Sequence, residues 1–249
     1  MKRTLLVLGL LAVLAGPAAS ATKSLPVSTV YAASSLTDVF PAIDPNETYS
    51  FGGSNTLATQ IKNGAPADVF ASANMTIPTT LHQQKYCSAP IVFTRNKLVI
   101  VTPTANPAHV KNIYSLTKKG VKIAVAATGV PVGTYTQQIL NNMNIAAAVN
   151  ANVVTKDPDV RTVLAHVTTG SVDAGFVYST DAKTVPGQVK VIKIPAWAQP
   201  KVQYGICVVS TSSNKAAARA FISLVLSKKG QATLLAYGFL PRFKPKSSK

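Results

Sequence analysis

Short runs of consecutive apolar residues alternate along most of this chain with longer runs in which apolar positions recur every three or four. The first pattern predicts buried strands and the second helices with one buried face. Strands are expected over residues 27–31, 49–51, 68–71, 97–102, 121–126, 174–178, 189–194 and 201–209. Helices are expected from 36–40, over 57–62, 135–143, 160–167, 216–226 and 231–237, with a short turn or helix at 113–117. Gly64 closes the helix at 57–62, and Pro103 stops the strand before it. Strands alternating with helices predict an α/β protein with mainly parallel sheets flanked by helices. Two continuous strands beside proline-containing turns, 97–102 and 201–209, are the candidate crossovers between two lobes. The expected division is 22–100 and 203–249 for the first lobe and 101–202 for the second, with a ligand cleft between them.

The first 21 residues form a separate unit. Lys2 and Arg3 precede an apolar stretch from Leu5 to Ala15, Gly16-Pro17 breaks it, and Ala19-Ser20-Ala21 offers a small-residue cleavage site. This is the pattern of a cleaved signal peptide, too short to span a bilayer. No other stretch is long and apolar enough to cross a membrane, so the mature chain is expected to be exported, soluble and monomeric, without stable membrane insertion. The two cysteines, Cys87 and Cys207, are then candidates for a disulfide, the alternative being two buried thiols that never meet.

Charge changes the picture less than its size suggests. The formal net charge is +17, from 25 Lys+Arg against 8 Asp+Glu. Nucleic-acid binding is not expected, because the lysines are scattered and no aromatic residues interleave with them as a stacking platform requires. The one dense cluster is Arg242, Lys244, Lys246 and Lys249. Scarce carboxylates suit an acidic medium, and a positive field concentrates anions. Catalysis is poorly supported. His82, His109 and His166 lack metal-ligand spacing, no nucleophile motif is present, and Asp157 and Asp159 flank Pro158 just before a helix, where they cap it.

The informative segments are strand–loop–helix junctions. Ala32-Ala33-Ser34-Ser35-Leu36-Thr37 and Phe51-Gly52-Gly53-Ser54-Asn55-Thr56-Leu57 each place a hydroxyl where a helix presents unpaired N–H groups. Val130-Pro131-Val132-Gly133-Thr134-Tyr135 and Asp157-Pro158-Asp159-Val160-Arg161 are two more such starts. Singly they are ordinary helix caps. Together they would cradle an anion without any charged side chain.

These segments, with Gly64-Ala65-Pro66-Ala67-Asp68, Gly175-Phe176-Val177-Tyr178 and Tyr237-Gly238-Phe239, occur in order over nearly the whole mature chain. The chain thereby resembles the periplasmic molybdate-binding proteins, the solute receptors of molybdate ABC importers. The resemblance implies a two-lobed periplasmic-binding-protein fold of type II-like organisation, no catalysis, no cofactor, and an ABC permease as partner. It implies that molybdate, and tungstate with it, is held by Ser35 and Ser54 through hydroxyl and N–H, by Val132 and Val160 through backbone N–H, and by Tyr178 through its phenol. Molybdenum would be present only as the oxyanion, with no direct protein–metal ligands. Ser34 and Asn55 are further candidates, Asn55 as ligand or as helix cap. Position 132 commonly carries a smaller residue in relatives. Sulfate, phosphate or another tetrahedral oxyanion is the alternative ligand, and a secreted basic surface-binding protein using 239–249 is the rival from a different class. Residues 64–73 read as framework, and Asp38 is expected to point away from the anion.

Overall fold

A computed structural model describes residues 26–243. Residues 1–25, which hold the expected signal peptide, and residues 244–249 lie outside them. The first lobe opens with β1 (Thr29–Ala33), α1 (Val39–Ile43), β2 (Thr48–Gly52), α2 (Ser54–Lys62), β3 (Val69–Ser72), α3 (Thr76–Gln83) and β4 (Ile91–Asn96). The second lobe comprises β5 (Leu98–Pro103), β6 (Ile123–Ala126), α4 (Pro131–Asn142), α5 (Ala146–Asn150), β7 (Val153–Asp157), α6 (Val160–Thr168), β8 (Ala174–Tyr178), α7 (Ser179–Lys183) and β9 (Val189–Lys193). The chain then returns to the first lobe for β10 (Val202–Val208), α8 (Lys215–Leu226) and α9 (Lys228–Ala236).

Each lobe is built on a five-stranded sheet, ordered β2-β1-β3-β10-β4 in the first and β7-β6-β8-β5-β9 in the second. In each, one strand runs against the other four: β10 is antiparallel to β3 and β4, and β5 to β8 and β9. The two expected crossover strands are thus the reversed ones. β5 pairs within the second sheet from Leu98 onward and β10 within the first from Val202. The chain therefore passes between lobes at Asn96–Lys97 and at Gln199–Lys201.

The central strands carry the continuous apolar runs because both faces are covered: β3 and β8 are buried along their whole length. Helix packing follows the apolar spacing. α6 buries Val160, Val163, Leu164 and Val167 against β8, where Gly175 leaves room for Val163 and Val167. At the end of α2, Gly64 takes φ +88°, the left-handed value that favours glycine at a helix C-terminus.

The large core runs through both lobes, and a smaller cluster beneath α2 and α3 gathers Leu57, Ile61, Phe70, Leu81 and both cysteines. The expected disulfide is not formed. Cys87 and Cys207 are free, buried thiols, neighbours in that cluster, and the Cys87 thiol donates to the Pro78 carbonyl at 3.5 Å. Burial lets them pack as small apolar side chains.

Candidate functional site

Three helix N-termini converge on one small cavity between the lobes. Gly53 and Ser54 open α2, Pro131 and Val132 open α4, and Asp159 and Val160 open α6; all six line it, with Ser34, Ser35 and Tyr178. Its volume of about 10 Å³, roughly the room one water needs, is far below the roughly 300–1,000 Å³ of pockets for drug-sized ligands and excludes anything larger than a small ion. No cation lines it. The one lining carboxylate, Asp159, is already engaged: Oδ1 accepts from the N–H groups of Arg161 (2.7 Å) and Thr162 (3.2 Å), and Oδ2 from the Thr162 hydroxyl (3.2 Å).

Those caps decide which donors are left. Asp159 takes the second and third N–H groups of α6, so Val160 keeps the free one. On α4, Pro131 has no N–H, and Thr134 returns to the Val130 carbonyl at 2.9 Å, so Val132 presents the first free N–H. α4 begins at Pro131 and not near Tyr135, which is why a valine can serve here through its main chain. Neither Gly53 nor Val130 caps its helix with a side chain.

The hydroxyls are positioned by neighbours that accept or donate on the far side. The Ala73 N–H donates to Ser54 Oγ at 3.1 Å, leaving the Ser54 proton for a ligand. Ala73 itself lines the cavity, so the segment read as framework contributes its last residue to the site. Ser35 Oγ lies 2.9 Å from Tyr204 Oη, which accepts a 3.4 Å hydrogen bond from Asn96 Nδ2. With Tyr204 donating to Ser35, the chain Asn96–Tyr204–Ser35 points its last proton at the cavity, each bond polarising the next. Tyr178 is 1% exposed, and its hydroxyl has no hydrogen-bond partner among the described residues. Burial pushes the Tyr178 and Tyr204 phenols well above their ordinary pKa, so both remain O–H donors. Their rings meet edge-on, with centroids 5.6 Å apart.

Of the residues expected at the site, Ser34, Ser35, Ser54, Val132, Val160 and Tyr178 come together. Asn55 does not line the cavity; its Oδ1 lies beside Gly53. Asp38 also stays out, its carboxylate paired with Arg161.

That pair crosses the cleft. Arg161, on α6 of the second lobe, reaches Asp38 of the first, while its Nε stands 3.2 Å from Asp181 and its Nη1 donates to Thr184 at 3.3 Å. Asp181 is wholly buried; desolvation raises its pKa to about 7 against the opposing pull of Arg161. Behind the site, Asn96 Nδ2 also donates to Thr180 of the second lobe at 2.9 Å. The Gln199 amide clasps Leu98, accepting from its N–H (3.1 Å) and donating to its carbonyl (2.7 Å), so the two passages between lobes are bonded side by side.

No nucleophile–base pair lines the cavity, and no group of three metal-ligating side chains occurs among the described residues. The cavity offers outward-pointing donors and positive helix ends to an acceptor-only ion.

Comparison with known proteins gives the same outline. The family model of bacterial extracellular solute-binding proteins matches residues 29–240. The molybdate-binding protein ModA of Mycobacterium tuberculosis H37Rv is 34% identical over 220 residues, 84% of this chain and 83% of that protein. ModA of Haemophilus influenzae is 32% identical over 228 residues, covering 85% and 89%. Among solved structures, the Azotobacter vinelandii periplasmic molybdate-binding protein superposes with a TM-score of 0.76 at 24% identity, over 88% of this chain and 100% of that one. The sulfate-binding protein SubI of M. tuberculosis does so with a TM-score of 0.72 at 17% identity, over 86% of each. At those identities the two structures speak for the fold alone.

Proposed function

Since the chain belongs to the bacterial extracellular solute-binding proteins, we propose that it captures molybdate outside the cytoplasm and passes it to an ABC importer. It is a transport component and not an enzyme. The observation that carries the ligand reading is the buried Tyr178 hydroxyl, left without a partner on the wall of a cavity where three helix N-termini meet. An unpaired buried donor costs roughly 1–3 kcal/mol, and an acceptor arriving in the cavity recovers it.

The donor set favours a fully deprotonated ligand. A hydrogen phosphate carries a proton and needs an acceptor, and the Asp159 oxygens are committed to capping α6. Tetrahedral dianions without protons fit: molybdate, tungstate and sulfate. Donor count does not separate these, so the size of the cavity must, and the reading favours molybdate and tungstate over the smaller sulfate. In this reading Ser35, Ser54, Val132, Val160 and Tyr178 are the ligating residues, Ser34 lines the wall beside them, no cofactor is needed, and the monomeric mature chain begins after the signal peptide. The ABC permease is the partner that accepts the ion.

Calorimetric titration of the mature protein with molybdate, tungstate, sulfate and phosphate at fixed salt tests this. One-to-one binding of the first two, with sulfate and phosphate silent, is expected. Equal, weak and salt-sensitive heats from all four would overturn it.

A further inference from the structure

The two passages between the lobes form the floor of a second and larger groove. Arg95, Lys97, Lys201 and Arg242 line it, and no acidic residue does. The ion pairs among the described residues involve only Arg161 and His166, so all four cations lack a carboxylate partner there. Two large aromatic side chains stand at its edge. Phe243 lines the groove and is 68% exposed, with the Arg242 guanidinium 4.8 Å over its ring. Trp197, 66% exposed, sits in the short helical turn Ala196–Ala198, whose first residue also lines the groove. Beyond Phe243 the sequence adds Lys244, Lys246 and Lys249 and no acid.

Unpaired cations beside exposed aromatic rings are the composition of a surface that lies on a bilayer, the charges toward anionic headgroups and the rings at the interface. Among the described residues no helix is long and apolar enough to cross a membrane. We infer that this groove and its rim dock the protein peripherally on an anionic lipid surface, through residues none of which lines the ion cavity. The arrangement would keep a diffusible receptor close to the membrane that holds its importer, and gives the chain's large positive charge a use that the ion cavity, which no cation lines, does not. The inference rests on the chain working outside the cytoplasm.

Trp197 is the only tryptophan in the chain, so its fluorescence reports on this rim alone. The mature protein is mixed with phosphatidylcholine vesicles, with or without phosphatidylglycerol, and followed by tryptophan emission and by co-sedimentation. Binding with a blue shift is expected only with phosphatidylglycerol, and 0.5 M salt should reverse it. The Lys97→Ser/Lys201→Ser/Arg242→Ser variant should bind roughly 100-fold more weakly, from the contribution of each surface cation. Molybdate titration of the same variant should match the parent, which separates failure of this inference from failure of the receptor reading. Equal binding to both vesicle types, undiminished binding by the variant, binding without a Trp197 shift, or displacement by soluble polyphosphate at equal phosphate concentration would each overturn it, the last by identifying a soluble polyanion as the occupant.

Discussion

Gly53 and Pro158 meet across the cleft so closely that a Cβ on Gly53 would stand 2.3 Å from the Pro158 carbonyl oxygen. The glycine is not needed for its backbone angles, since φ −62° and ψ 130° suit any residue. It is needed for the approach of one lobe to the other. Gly53→Ala should therefore fold normally and keep its stability without ligand, yet fail to close. We expect molybdate affinity to fall at least tenfold, about 1.4 kcal/mol, and small-angle scattering to show no compaction on adding the ion. Full affinity in this variant would mean that the lobes need not come this close to hold it.

Tyr178→Phe separates binding from stability. The hydroxyl has no partner among the described residues, so its removal should leave the free protein unchanged or slightly more stable. The complex should lose about 1–3 kcal/mol, because an anion's oxygen then lacks its donor. Melting curves with and without molybdate check both halves. A free protein that melts markedly earlier would show the phenol to be a structural group.

Much of this was legible in the sequence, for physical reasons that also mark where legibility ended. β8 was read to the residue because Ala174–Tyr178 is a continuous apolar run, buried on both faces. The junction motifs were legible because a hydroxyl or proline before a helical run has few other uses. β7, at a sheet edge with alternating exposure, was missed, as was α3, where Pro78 in the first turn masks the helical spacing. The supports of the site were invisible for another reason. Tyr204 and Asn96 lie 169 and 108 positions from the residues they bond, Ser35 and Tyr204, and nothing local marks such a pair. Cys87 and Cys207 read as a disulfide by compartment alone, whereas the structure packs them as thiols.

Asp38→Asn tests the ion pair between lobes. Arg161 keeps Asp181 on its own lobe, so only the bond across the cleft is weakened. Both partners are partly exposed, which limits the effect to about 0.2–1 kcal/mol. That corresponds to molybdate leaving up to about fivefold faster, measured by stopped-flow displacement, with little change in the association rate. The difference should shrink at high salt. An unchanged release rate at low salt would show the pair to be incidental to closure.

Asp181 should make stability fall as pH rises through the acid range. Its carboxyl is wholly buried, and burial raises its pKa to about 7, above the ordinary 3.8. Between those two values the folded chain holds a proton that the unfolded chain has released. Stability contributed by that proton is complete below pH 4 and is lost as pH approaches 7, at a slope of up to about 1.4 kcal/mol per unit. The sign is opposite to that of a carboxylate stabilised by an ion pair, because here desolvation outweighs Arg161. Asp181→Asn still offers an oxygen to the Tyr178 N–H, which Asp181 accepts at 3.1 Å, so the start of α7 should persist. Subtracting the denaturant-unfolding free energies of the variant from those of the parent at pH 4, 5, 6 and 7 isolates this group. We expect the parent to lose ground steadily with pH relative to Asp181→Asn; a flat or rising difference would mean that Arg161 holds Asp181 ionised throughout.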